Sequence, residues 1–142
     1  MNQDLVAQTI MKINAPITKV WDALINPYII KQYMFGAWVV SDWNPGSPIY
    51  WRGEFEGKPY EDKGEILHID TYKKLQYSHY SSQSKLPDLP ENYHILTFEL
   101  SNDGKNSVIR LTQDNNTSKL ERDHSKELWE VMLVGLKNLL ER

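Results

Sequence analysis

The segment Ile13-Asn-Ala-Pro-Ile-Thr-Lys-Val-Trp-Asp-Ala-Leu24 contains the change of period that decides the fold. Up to its start, Thr9, Met11 and Ile13 alternate with Gln8, Ile10 and Lys12, which is the two-residue period of a strand. Beyond Pro16 the apolar residues Val20, Trp21 and Leu24 recur at helical spacing. Pro16 suits the first turn of a helix, where its missing N–H would have no intrahelical partner. Asn26-Pro27 ends that helix, because the residue before a proline is pushed out of the α region. Tyr28 to Met34 reads as a second short helix. A short opening helix with a tryptophan on its apolar side needs a large surface to bury that ring.

Period two resumes at Trp38 and supplies the surface. Trp38–Ser41 is a short strand, and Asn44-Pro45-Gly46-Ser47-Pro48 is a turn by composition. Ile49, Trp51, Gly53 and Phe55 then form one face of a strand whose other face is Tyr50, Arg52 and Glu54. Glu56-Gly57-Lys58-Pro59 turns the chain and Lys63–Asp70 returns it. Leu75, Tyr77 and His79 share a face, as do Leu96, Phe98 and Leu100. Asn102-Asp103-Gly104-Lys105 is a hairpin turn, followed by a strand with Ile109, Leu111 and Gln113 on one side. At the C-terminus Trp129, Met132 or Leu133, Leu136 and Leu139 or Leu140 recur every three to four residues. That helix is capped by Ser118 if it starts early, within a Ser118-x-x-Glu121 box, or by Asp123 if it starts later, in which case it runs about five turns. Strands in hairpin succession favour an antiparallel sheet, and a bent one can wrap a single helix. The two early helices fall where such a sheet would gape at one end, and Val20 and Trp21 are placed to plug it.

At 142 residues the chain fits a single domain spanning 1–142 with a core of its own. Sixteen Lys and Arg against nineteen Asp and Glu, with no basic stripe, argue against nucleic acid as a partner. There is no cysteine, hence neither disulfide nor thiolate chemistry. Met-Asn-Gln-Asp-Leu-Val lacks the pattern of a signal peptide and no apolar run could span a bilayer, so a cytoplasmic protein without membrane insertion is expected. The unusual feature is aromatic content: five Trp, eight Tyr and three Phe, rings that fill cores and also line pockets for apolar ligands.

Four stretches carry a family resemblance. "INAPITKVWDALINP" resembles the opening of START-like, helix-grip proteins, and more narrowly of bacterial relatives of the C-terminal domain of heat-shock-protein-90 ATPase activators. "KGEILHIDTYKKLQYSHY" is similar to that family's central strand pair, "LTFELSNDGKNSVIRLTQDN" to its last hairpin and "LWEVMLVGLKNLLE" to its closing helix. The resemblance implies an α+β helix-grip fold: a curved seven-stranded antiparallel sheet around the C-terminal helix, with a cavity between them. It further implies binding of lipids or other hydrophobic molecules, or polyketide cyclase and hydrolase activity, or stimulation of a chaperone ATPase.

By strand parity the inward set is Met11, Trp51, Phe55, Tyr77, His79, Leu96, Phe98, Leu111 and Gln113, faced by Trp129, Met132, Leu133 and Leu136 from the helix. The expected function is binding of a small hydrophobic or aromatic molecule, with no intrinsic catalysis and no cofactor. Trp51, Phe98 and Trp129 would supply apolar wall, while Tyr77, His79 and Gln113 would orient a polar end. The alternatives are a cyclase or hydrolase using His79 as acid or base, and a module that acts on a chaperone or another protein, as a monomer or homodimer. His79 reads more readily as a histidine hydrogen-bonded at a strand end than as a catalytic group. His68, His94 and His124 lie far apart in sequence, and no metal site is expected. Glu54 and Glu56 beside Arg52 read as solvated charges, and Lys137 and Glu141 as a solvated helix edge. No G-x-S-x-G, Walker or dinucleotide motif occurs. Ser81–Asn92, with two prolines, is either a lid or a surface connector.

Overall fold

The computed structural model describes residues 5–142. The chain runs β1 (Ala7–Ile13), α1 (Ile17–Ile25), α2 (Pro27–Tyr33), β2 (Trp38–Ser41), β3 (Pro48–Phe55), β4 (Lys58–Asp70), β5 (Lys74–His79), β6 (His94–Asp103), β7 (Asn106–Gln113) and α3 (Lys119–Leu140). The strands form one antiparallel seven-stranded sheet in the order β1-β7-β6-β5-β4-β3-β2. This is the α+β architecture expected of a helix-grip fold, with α1 and α2 between the first two strands and α3 as the closing helix.

Local signals account for the joints. Pro16 stands at the N-cap of α1 in extended conformation, one residue earlier than its reading as a helical residue. The Asn26 side chain accepts the Tyr28 N–H at 3.0 Å, and Pro27 opens α2. Ser118, rather than Asp123, caps α3: its hydroxyl accepts the Glu121 N–H at 3.1 Å. The helix therefore spans 22 residues, a turn longer than a start at Asp123 would allow. β4 is also longer than its sequence reading, because pairing with β3 begins at Phe55↔Lys58 directly across the turn.

One half of the interior is solid. Leu133, Leu136 and Leu140 of α3 are buried against the sheet, together with Ile13, Leu75, Phe98, Ile109 and Leu111. Trp21 is only 4% exposed and meets Tyr72, at the β4–β5 turn, edge to face with ring centroids 6.4 Å apart. Val20 beside it is fully buried, so α1 does plug one end of the sheet. Burying such side chains is worth roughly 1.5–3 kcal/mol each. The C-terminus of α3 is tied down at the same end. Glu141 accepts the Asn14 N–H at 3.0 Å, and Lys19 Nζ donates to the Leu140 carbonyl at 3.3 Å. Glu141 is thus more than the solvated edge its sequence position suggests. Under α2 only about 10 Å³ of free space remains, among Leu24, Ile30, Tyr33, Val39, Ile49 and Phe98.

Gly64 of β4 packs directly against the backbone of Ser78 on β5. A Cβ placed there would lie 1.7 Å from the Ser78 carbonyl oxygen, a backbone atom that cannot rotate away. Gly64→Ala is therefore expected to destabilise the protein by about 1–3 kcal/mol, as overpacking does. Urea unfolding checks this; an unchanged midpoint would show that the two strands can part freely.

Candidate ligand-binding cavity

At the end away from Trp21 the sheet and α3 diverge around a cavity of about 900 Å³. Its floor is Trp51 on β3 and Tyr77 on β5, whose ring centroids lie 5.0 Å apart. Both rings also border the packed half, so they divide solid core from open space. Leu96 on β6 and Leu128, Trp129 and Met132 on α3 complete the apolar wall. Tyr60 lines the cavity from β4, lying over Gly53, where the absence of a Cβ leaves room for its ring. Burial pushes the Tyr77 phenol well above its ordinary range, so it stays a neutral hydroxyl.

The polar rim has three parts. First, His79 Nε2 lies 3.1 Å from Asp62 Oδ2, with its ring edge to face against Trp51 at 4.9 Å. Asp62 Oδ1 accepts the Ser82 N–H at 2.9 Å and the Ser82 hydroxyl at 3.0 Å. Burial alone would raise the Asp62 carboxyl; the His79 and Ser82 hydrogen bonds and the His79 charge outweigh it, and the net shift is downward. Second, His94 stands directly opposite His79 in the β5–β6 register. Its Nδ1 is 2.8 Å from the Asp114 carbonyl, and its Nε2 is 3.4 Å from Glu121 Oε1. Third, Gln113 joins β7 to α3. Trp129 Nε1 donates to Gln113 Oε1 at 2.8 Å, and Gln113 Nε2 donates to Asn116 Oδ1 at 3.1 Å and Ser125 Oγ at 3.0 Å.

Of the residues singled out from sequence, Trp51, Tyr77, His79, Leu96, Gln113, Trp129 and Met132 lie on this cavity. Phe98, Leu111, Leu133 and Leu136 do not; they are fully buried in the solid half. Phe98 still touches the wall from behind, edge to face with Trp129 at 6.1 Å. Phe55 is a correction: it is 60% exposed. It pairs with Lys58 at the tip of the β3–β4 hairpin and belongs neither to the packed core nor to the cavity lining. Gln113 has its amide committed to neighbouring side chains, so it acts as a strut between sheet and helix. Glu54 and Glu56 are exposed as expected, while Arg52 pairs with Glu61 at 2.6 Å.

Sequence reasoning missed Asp62, His94, Glu121, His124 and Leu128 as cavity residues. Asp62 was missed because the returning strand was begun one residue later, at Lys63; continuing the alternation of Tyr60 and Asp62 back from Gly64 would have found it. The segment 81–92 contributes Ser81, Ser84, Leu86 and Glu91 to the rim and ends in a 3-10 turn, Pro90–Asn92. It is braced by Tyr80 Oη donating to the Leu86 carbonyl, by Tyr93 Oη donating to Asp88 at 2.6 Å, and by a Lys63–Asp88 ion pair. Among the described residues no cluster of three or more His, Asp or Glu is arranged to hold a metal, and no helix is long and apolar enough to cross a membrane.

A grip of sheet on helix with a cavity at one end defines a START-like helix-grip protein. The chain belongs to the family described as Activator of Hsp90 ATPase homolog 1-like protein, whose profile matches residues 14–141. The solution structure of ChR145 from Cytophaga hutchinsonii is similar at 55% identity and a TM-score of 0.86, covering 99% of this chain and 97% of that one. CalU16 from Micromonospora echinospora shares the fold at 19% identity and TM-score 0.73, over 92% of this chain and 73% of the other. The Aha1 dimer from Colwellia psychrerythraea shares it at 20% identity and TM-score 0.74, over 96% of each. No curated protein sequence matches.

The downward shift of Asp62 has a consequence for stability. Its folded-state affinity for a proton lies below the unfolded one, so the stabilisation it gives is complete above the unfolded value, near pH 4, and is lost as pH falls through the folded one. Asp62→Asn should lower the unfolding midpoint at neutral pH, and the gap to wild type should close below about pH 4. Thermal unfolding from neutral to acid pH measures this; a gap independent of pH would show that the carboxylate charge contributes nothing.

Proposed function

We propose that this protein binds a small hydrophobic or aromatic molecule between the sheet and α3, without intrinsic catalysis. The observation that carries the reading is the cavity of about 900 Å³ with Trp51, Tyr77, Leu96, Trp129 and Met132 on its walls. A space of that size suits a drug-sized ligand, and apolar walls with a few placed polar groups are the usual composition of such sites. Cores normally pack to the density of organic crystals, so open volume beside a solid half calls for an occupant. Family membership supports the same reading.

Met132→Trp fills the cavity from a half-buried helix position. It is expected to weaken binding of small aromatic probes by about tenfold or more while leaving unfolding cooperative. Titration by ligand-observed NMR, with native mass spectrometry of the purified protein, checks it. Probes that never bind, or that bind Met132→Trp as well as wild type, would refute the site.

A second reading, an acid–base enzyme of the cyclase or hydrolase kind, rests on the His79–Asp62 pair, in which a carboxylate orients a cavity histidine. It requires that His79→Gln abolish turnover of a bound carbonyl substrate and leave its affinity intact. Turnover that survives the substitution would remove His79 from the chemistry.

A further inference from the structure

The hydrogen-bonding inventory of the cavity's polar rim is unbalanced. A carbonyl can only accept, so the contact of His94 Nδ1 with the Asp114 carbonyl places the hydrogen of a neutral ring on Nδ1. Nε2 then presents a bare lone pair, and the group facing it at 3.4 Å is Glu121 Oε1, another acceptor. The second carboxylate oxygen, Oε2, is already occupied by the Thr117 hydroxyl at 2.8 Å. Oε1 is shut off from solvent and has no hydrogen-bond partner among the described residues. A buried polar atom without a partner calls for an explanation. Three neighbouring donors are used on other partners: the Trp129 indole N–H on Gln113, the Gln113 amide on Asn116 and Ser125, and the His79 ring on Asp62. Charge on the lining leans the same way, with Asp62, Glu91 and Glu121 against Lys85.

We propose that this rim receives a primary ammonium group, so that the ligand is an amphiphile with an aromatic or aliphatic body and a protonated amine head. The inference rests on the cavity-binding reading above and specifies its ligand class. A hydroxyl brings one proton and can satisfy one of the two facing acceptors; an ammonium brings three and bridges both. It also neutralises the carboxylate, whereas a ligand carboxylate would add a third acceptor. Glu121 lines the cavity and its last torsion is a soft one, so the head group is expected to draw Oε1 toward it at the expense of the Thr117 contact. The body of the ligand then lies along Leu96, Trp129 and Met132 toward the Trp51 and Tyr77 floor.

Phenylbutylamine, phenylbutanol and phenylbutyrate share one body and differ in the head, and calorimetric titration of the full chain with each is the test. The amine is expected to bind at least about tenfold more tightly than the alcohol or the acid. Glu121→Gln, whose amide can itself donate to His94, is expected to erase that preference and keep the alcohol affinity; His94→Gln serves should the first variant not fold. An alcohol or acid that binds as well as the amine overturns the amine head and leaves the cavity reading standing, and this is the result expected if His94 itself carries a second proton to Glu121. A preference that survives in Glu121→Gln moves the head group elsewhere and overturns the site. Failure of all three probes to bind at millimolar concentration overturns the cavity reading, and the inference with it.

Discussion

Everything in this molecule depends on α3 being clamped at one end only. Leu133, Leu136 and Leu140 are buried in the sheet, and the Asn14–Glu141 and Lys19–Leu140 hydrogen bonds fix the helix terminus beside the start of α1. The other half of the helix meets the sheet through the Phe98–Trp129 ring contact and a set of polar struts. Gln113 reaches Trp129, Ser125 and Asn116 at 2.8–3.1 Å. Apolar side chains draw surfaces together until they interdigitate, whereas a hydrogen bond holds its partners at a set separation and direction. A helix gripped by leucines at one end and propped by an amide at the other leaves a wedge of space. The cavity lies on the propped side of the helix, lined by Ser125, Trp129 and Met132.

Trp51 and Tyr77 mark where one regime gives way to the other. Their rings meet at 5.0 Å, and Tyr77 continues to Phe98 at 5.6 Å, which itself meets Trp129 at 6.1 Å. Tilted and edge-to-face pairs of this kind add about 0.5–1.5 kcal/mol apiece beyond area burial. The chain of rings runs from β3 across the sheet to α3, so the cavity floor is also a crossbeam of the core. The same rings that a ligand would touch are held by neighbours behind them, which favours a preformed site over one shaped by its occupant.

Much of this was legible in the residues themselves. Period-two segments located the strands, and the change of period at Pro16 located the helices that plug one end. The inward face could be named by parity because alternation is a local property. What parity cannot give is reach. Phe55 has the parity of the inward set yet belongs neither to the core nor to the cavity lining, because how far a helix extends over a sheet depends on packing between elements distant in sequence. The partners of His79 on the polar rim were missed for a related reason. His79 and His94 are neighbours through strand register, and Asp62 joins them from a third strand, so no spacing in the sequence records the group. Phe98, Leu111, Leu133 and Leu136 share the pattern of cavity residues and were separated from them only by where the helix closes down.

The choice of helix cap shows how a local decision sets the site. Ser118 and Asp123 were both competent to begin α3, and the structure uses Ser118. That start adds a turn, and the added turn carries Glu121 over the open half of the sheet. In a capping box the acidic residue three positions on reaches back to the cap's own N–H. Here its carboxylate instead takes the Thr117 hydroxyl and turns its other oxygen toward His94. A helix beginning at Asp123 would keep its leucine clamp and its fold, but its roof over the cavity would be shorter and would lack this acid. The residue that reads in sequence as part of a helix signal is therefore the one whose side chain departs from that role. Its departure leaves an acceptor unmatched at the cavity rim, and leaving a buried acceptor unpaired costs roughly 1–3 kcal/mol. A closed box would have paired that carboxylate with the Ser118 N–H; left open, it is the group that the proposed ammonium head would meet.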